Sequence, residues 1–268
     1  RKYFGVYQVY LFRKKYLSSS ANIPIRIHTL SGENLMNALK EKFRMVVLDY
    51  PINLIDDPFV RDLFCKIIKI KHTGYMTAYH PDVIPVDKSD FVGTHISLCI
   101  EEDLQLNPIF TYKSISYDRC LKHVFEFPGL SLMKSDGNPS CVHRIEQILN
   151  ENNKVPLWVS FDSAWAQDPN VRLNKSPETK LFLREVAMAC GVWHHQEFEI
   201  PHMITCGVKQ VKTDLFFLNM GLEPLTDLAN FTQSNLFGAA AVIFYNNTFS
   251  KFAIECSKKH KTLWKEKL

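Results

Sequence analysis

The 268-residue chain has no apolar run long enough to span a bilayer, which takes ~20 consecutive apolar residues. It also lacks a Gly-x-Ser-x-Gly elbow and a glycine-rich phosphate loop, which counts against serine-hydrolase and nucleotide-hydrolase chemistry. Internal repeats and low-complexity runs are absent. Charge of one sign is scarce: 32 Lys and Arg stand against 28 Asp and Glu, a net +4. That balance permits an acidic carrier protein or anionic lipid as partner without demanding either, and an ordinary solvated surface is expected. The seven cysteines are odd in number and scattered, with no Cys-x-x-Cys or Cys/His ligand spacing, so neither a disulfide framework nor a zinc ribbon is indicated. Reduced, mostly buried thiols in a cytoplasmic protein are expected. Arg1-Lys2-Tyr3-Phe4 opens without a signal-peptide core.

What is present is core-forming material: 46% hydrophobic and 12% aromatic residues, enough for one large domain. Tyr3 to Tyr16 reads as an amphipathic helix that packs on the body, with a membrane surface as the rarer alternative, and Leu17 to Asn22 as a linker. Residues 1–22 are thus an N-terminal extension to a single domain over 23–268. In that domain, Ile23 to Leu30 and Phe43 to Asp49 read as strands, Glu33 to Phe43 and Pro58 to Tyr79 as helices. Val92 to Ile100 and Ile109 to Ser116 read as an antiparallel pair. Tyr117 to His143 carries turn signals at Pro128-Gly129 and Asp136-Gly137, giving a long insert before a helix at Val142 to Asn150. Ala239 to Tyr245 is the final strand. The lysine-rich end, Phe249 to Leu268, is a solvated helix rather than a nucleic-acid arm, and no nucleic-acid partner is expected.

The most informative stretch is Val155 to Leu225. Val155 to Phe161 is a β-branched and aromatic run that loses its alternation at Asp162-Ser163, as a strand does on reaching a site. A polar loop, Trp165 to Lys175, leads to Ser176-Pro177-Glu178, which supplies an N-cap, a proline at the first helical position and a first-turn acid. The helix that follows is expected to end at Gly191. His195 to Val208 then reads as a strand broken near Pro201, and Lys212 to Met220 as a short helix closed by Gly221. On that strand only His195, Glu197 and Glu199 would share a side, so no metal site is expected there.

The segment Thr213-Asp214-Leu215-Phe216-Phe217-Leu218-Asn219-Met220-Gly221-Leu222-Glu223-Pro224 resembles the closing helix and strand of the GNAT acyltransferase superfamily. Upstream, Pro85-Val86-Asp87-Lys88-Ser89-Asp90-Phe91-Val92-Gly93-Thr94-His95 is similar to the paired aspartates of the acylhomoserine lactone synthases and long-chain N-acyl amino acid synthases. The resemblance spans roughly Asp57 to Asn247. It implies an α+β fold with a central mixed sheet whose strands splay, flanked by helices, with an insert around 117–150. It also implies transfer of a long-chain acyl group from acyl-CoA or an acyl carrier protein to the amine of an amino acid or similar small molecule.

Such a transfer needs a neutral amine, donors for the developing oxyanion and an expelled thiolate that is protonated or stable alone. The resemblance implies that Val159, Ser160 and Phe161 aim backbone N–H groups at the thioester carbonyl, with Asp162 or Ser163 taking a proton; for Asp162 a turn cap is the alternative. It implies that Asp87 and Asp90 orient the amine or take its proton, with a capping role as the alternative for Asp90. Lys113 stands where the lactone synthases carry an arginine and would pair with an acceptor carboxylate without bidentate geometry, Arg119 being the other candidate anchor. The donor loop lacks the family's glycines, so Arg172, Asn174, Lys175 and Ser176 are expected to hold phosphopantetheine through side chains. Phe217 replaces the tyrosine that often protonates the leaving thiolate in the closing helix. A catalytically silent module that binds an acyl group or partner protein therefore stands as the alternative function.

Overall fold

The computed structural model describes residues 42–79, 86–174, 176–226, 232–234 and 237–268. The extension over 1–22, the strand Ile23 to Leu30 and all but the last residues of the helix Glu33 to Phe43 lie outside the described residues, as does Lys175.

The strands are β1 (Phe43–Asp49), β2 (Thr94–Glu102), β3 (Gln105–Ser116), β4 (Val159–Gln167), β5 (His202–Val208), β6 (Glu223–Pro224), β7 (Thr232–Ser234) and β8 (Ala239–Asn246). β1 to β4 form an antiparallel meander, β4 pairs parallel with β5, and β5 pairs antiparallel with β8, whose far edge carries β6 and β7. The result is one mixed sheet, antiparallel except where β4 pairs with β5.

The helices are α1 (Pro58–Ala78), α2 (Lys88–Val92), α3 (Tyr117–Lys122), α4 (Pro128–Ser135), α5 (Pro139–Glu151), α6 (Pro169–Asn174), α7 (Pro177–Glu197), α8 (Thr213–Met220), α9 (Lys251–Lys259) and α10 (Lys261–Lys265). Neighbouring residues of β1 bury on opposite faces of the sheet, because side chains alternate along a strand. Val46 and Leu48 meet Val60, Leu63, Phe64 and Ile67 of α1, whereas Phe43 and Met45 meet Phe182, Val186 and Trp193 of α7. Full burial of each large apolar side chain contributes on the order of 1.5–3 kcal/mol, so these two stripes hold the helices to the sheet. No helix among the described residues is long and apolar enough to cross a membrane.

Four sequence expectations change. Pro156–Trp158 is a 3-10 turn rather than the start of a strand; β4 begins at Val159 and runs on through Gln167, into residues read as loop. The turn between β2 and β3 is only Asp103-Leu104, both with positive φ, and the polar Asn107-Pro108 lies within β3. The stretch from Tyr117, read for its turns, is largely helical and packs into the core: Phe127, Leu130 and Met133 of the α4 region and Ile145 and Ile148 of α5 pack on Val159, Phe161 and Ile204. Finally, α7 does not stop at Gly191 but continues to Glu197, carrying His194 and His195 on a helix rather than a strand. At Gly191 a Cβ would lie 2.8 Å from Met220 Cε and 3.4 Å from the Trp165 ring, so α7 passes close to both.

Gly221 does act as expected, as the left-handed cap of α8 with φ 92°, and a Cβ on it would lie 2.6 Å from the Ser250 backbone nitrogen. Gly221→Ala should therefore lower stability by about 1–3 kcal/mol in urea denaturation, while an alanine at exposed Gly137, where nothing lies within 4 Å, should lose less.

Candidate active site

The cleft arises where two parallel strands part. β4 and β5 are in register only from Val159 opposite His202 to Asp162 opposite Thr205. Beyond that point β4 bulges: Tyr112 of β3 faces both Ala164 and Trp165, and Ala164 adopts φ 57°, unusual for a residue with a Cβ. The bulge increases local twist, so the β5-facing edge of Ser163–Gln167 has no strand partner among the described residues.

A cavity of about 520 Å³ opens on one side of this edge. Its apolar wall is Tyr75, Tyr79, Phe125, Leu132, Phe161 and Phe237. Tyr75, Tyr79 and Phe237 are in mutual ring contact. Its polar wall is Lys71, Asp87, Ser89, Lys113 and Ser163. Lys71 and Tyr75 are four apart on α1 and Tyr79 caps it, so one helix face supplies both characters. A second cavity of about 410 Å³ shares Trp165 and Thr213 with the first and is bordered by Lys180, Arg184 and Lys212. Trp165 stacks on Tyr112 with centroids 4.1 Å apart, which fixes the partition between the two spaces.

The polar wall is a charge cluster. Lys71 Nζ donates to both oxygens of Asp90, at 2.6 and 2.9 Å. Lys113 Nζ lies 3.2 Å from Asp90, donates to Ser89 Oγ at 2.5 Å and lies 3.4 Å from Asp87. Asp90 is fully buried, and burial alone would raise its pKa, but Lys113 and then Lys71 outweigh that and hold it at about 2. Lys71 is pushed down to about 8 by burial and by Lys113, against the pull of Asp90. A carboxyl at about 2 with two ammonium partners is a poor general base. Asp90 instead anchors the lysines, and it also accepts the Asp87 N–H at 2.9 Å, completing a capping box on α2.

Asp162 is likewise fully buried and lines neither cavity. Its carboxylate accepts from Ser114 Oγ at 2.7 Å, Ser160 Oγ at 2.9 Å and His195 Nε2 at 3.0 Å, and its carbonyl accepts from Thr205 Oγ1 at 2.6 Å. With no opening to the cleft it serves as a brace for the splay and not as a base. Val159 and Phe161 fall in the paired stretch of β4, so the open edge that could meet a thioester begins at Ser163, not before it. Ser163 does line the first cavity.

Arg119 is not brought to the cleft. It pairs with Asp49 at 2.8 Å, donates to the Val92 carbonyl at 2.9 Å and sits 4.2 Å above the Tyr50 ring, which makes it a clamp between β1 and α3. Ser176 Oγ accepts the Thr179 N–H at 3.3 Å as the N-cap of α7 and lines neither cavity. Arg172 and Asn174 lie on α6, ahead of that cap. The basic residues that do border the second cavity, Lys180, Arg184 and Lys212, were missed; the i, i+4 spacing of Lys180 and Arg184 just inside a capped helix was the available signal. Lys71 was missed as well, hidden in a helix read only for its apolar stripe. Among the described residues no group of three or more His, Cys, Asp or Glu could hold a metal ion.

No protein-family model matches the chain, and no curated protein matches it. Among solved structures, the chain is similar to FeeM, an N-acyl amino acid synthase from uncultured soil microbes, at 13% identity over 76% of this chain and 90% of that one, with a TM-score of 0.46. It is similar to the AHL synthase LasI at 12% identity over 84% and 95%, TM-score 0.45. It is also similar to BjaI, a CoA-dependent acyl-homoserine lactone synthase, at 10% identity over 81% and 89%, TM-score 0.48. What the cleft can do follows from its own side chains.

Two outcomes follow from the charge cluster. Asp90→Asn leaves two buried lysines facing a neutral amide and should lower stability by about 3–5 kcal/mol, read by chemical denaturation at pH 7. His95, whose Nε2–H donates to the Asp90 carbonyl, is pushed by burial from 6.5 down to about 4. Between those values the unfolded chain binds a proton that the folded chain refuses, so stability is complete above pH 6.5 and falls as pH drops toward 4. His95→Gln should flatten that fall by up to about 3 kcal/mol in denaturation curves taken across the window.

Proposed function

We propose that this chain is an N-acyltransferase, moving an acyl group from a thioester to the amine of an amino acid or similar small molecule. The observation that carries the reading is the unpaired β4 edge, Ser163–Gln167, with two cavities in succession along it: one combining an aromatic wall and a Lys/Asp/Ser wall, the other bordered by cations. An extended donor arm with amide groups can lie along that edge and complete the hydrogen bonds a strand would have made. Lys180, Arg184 and Lys212 suit its phosphates, whether these belong to CoA or to the phosphopantetheine of an acyl carrier protein. The aromatic wall of Tyr75, Tyr79, Phe125 and Phe237 suits a long acyl chain. The acceptor amine then meets the thioester carbonyl between Ser163 and the Lys71, Ser89 and Lys113 wall.

In this reading the open backbone N–H groups near the bulge receive the oxyanion, and the strained Ala164 keeps them aimed away from the ladder. Asp90 is held by two lysines and Asp162 opens to neither cavity, so the proton leaves through the rest of the polar wall. Phe217 is fully buried and lines the first cavity, so the closing helix offers no hydroxyl acid at that position. The absence of that acid favours a second reading, a module that binds the acyl donor without turning it over.

The test is release of free thiol from dodecanoyl-CoA, and from the same chain on an acyl carrier protein, in the presence of pooled amino acids. Thiol release matched by N-acyl product in mass spectrometry supports transfer; tight donor binding without release supports the silent module. Replacing Arg184 and Lys212 together by alanine should weaken dodecanoyl-CoA binding by about 1–3 kcal/mol in titration calorimetry, the scale of a few charge-assisted hydrogen bonds. Unchanged affinity would move the donor phosphates elsewhere.

A further inference from the structure

We infer that Lys113, Ser89 and Asp87 form the path by which the acceptor's proton leaves the cleft. This rests on the transfer reading above. An amine that arrives as ammonium carries more protons than the products can keep. The C–N bond forms, the C–S bond breaks, the departing thiolate takes one proton from nitrogen, and one further proton must reach water. A chain of hydrogen-bonded groups that reaches the surface can carry it there.

The three groups make a continuous chain from wall to solvent. Lys113 is 3% exposed, lines the first cavity and stands directly across the β3–β4 ladder from Ser163, where the open edge begins. Its Nζ donates to Ser89 Oγ at 2.5 Å, and Ser89 is 2% exposed. Ser89 Oγ in turn donates to Asp87 Oδ1. The Asp87 side chain is 62% exposed, so a proton delivered to it is at the surface. A hydroxyl that accepts from a cation and donates to a carboxylate can pass a proton along without moving any heavy atom far.

The charged groups around Lys113 lie along the same path. Two ammonium groups, Lys71 and Lys113, share the buried carboxylate of Asp90, and Lys113 also lies 3.4 Å from the carboxylate of Asp87. Lys113 holds the Asp87 carboxyl below the usual carboxylate range, so a proton that reaches Asp87 passes on to water. In the first step the Lys113 ammonium gives a proton to Ser89 Oγ while the Ser89 proton moves to Asp87, leaving an amine and a carboxylic acid. The Lys113 amine then takes a proton from the acceptor ammonium, whose freed lone pair attacks the thioester carbon. Asp87 returns its proton to water. Lys113 is the catalytic residue in this scheme, and Ser89 and Asp87 act through it.

The experiment compares Ser89→Ala, Asp87→Asn and the double variant in the thiol-release assay with dodecanoyl-CoA and pooled amino acids. Asn is a good helix cap, so Asp87→Asn keeps the start of α2 while losing the proton acceptor. Each single variant should lose about 10²-fold in turnover with donor affinity unchanged, and added azide or formate should restore part of the loss. Because both residues lie on one path, the double variant should be no slower than the singles. Wild-type rates in Ser89→Ala, losses that multiply in the double variant, or losses that no small base restores would each overturn the path while leaving acyl transfer intact. A wild type that releases no thiol with any amine overturns the transfer reading, and the path with it.

Discussion

The buried carboxylate of Asp162 is the constraint on which the site depends. It sits at the last paired residue of β4, where the parallel ladder with β5 ends, and it reaches β3 through Ser114 and α7 through His195. Its backbone carbonyl takes the Thr205 hydroxyl from β5. His195 thus joins the Ile200 carbonyl, 2.9 Å from Nδ1, to the Asp162 carboxylate, 3.0 Å from Nε2. A carboxylate in that position is expensive to bury unless every lone pair is used, and here three side chains use it. The consequence is that the strands separate at one defined point rather than fraying, and the bulge at Ala164 and Trp165 turns that point into an edge.

The two buried aspartates divide the work. Asp162 faces away from the cleft and fixes the backbone; Asp90 faces two lysines that line it and fixes their charge. Both carboxyls are held ionised against burial, yet for different reasons: a histidine with serine hydroxyls in the first case, two ammonium groups in the second. Removing either would leave its partners buried and unpaired, so neither can be read from a rate alone. The groups free to take part in chemistry are those one shell out, Lys71, Lys113, Ser89 and Asp87, which combine access to the cavity with a fixed position.

The helices between β3 and β4 give the cleft its other half. Read as an insert, Tyr117 to His143 has no evident purpose, but α4 and the loop before it supply Phe125, Leu132 and the support for Phe161. A Cβ on Gly129 would lie 2.9 Å from the Phe161 ring, so α4 lies against β4. The aromatic wall is thus assembled from α1, the α3–α4 loop, β4 and Phe237, four places far apart in the chain. An apolar ligand entering it would replace contacts with water by contacts with rings already held in place, which favours binding without reorganisation.

Local signals were legible where the physics is local. The strand at Phe43 to Asp49, the helix from Pro58, the Ser176-Pro177 start of α7 and the Gly221 cap follow from alternation, periodicity and capping, each settled within a few residues. The pairing of Asp87 with Asp90 was legible as a motif, and the capping box explains half of it. What the chain by itself could not decide was which polar group meets which. Gly191 looked like a stop, but burial on every side carried α7 six residues further and took His195 to Asp162. Lys71 looked like one more helical lysine, yet it lies against a carboxylate 19 positions away. Residue type and spacing determined the elements of this protein and their order. Only the tertiary structure decided its site, because charge, burial and proton transfer depend on distances between groups that the sequence holds apart.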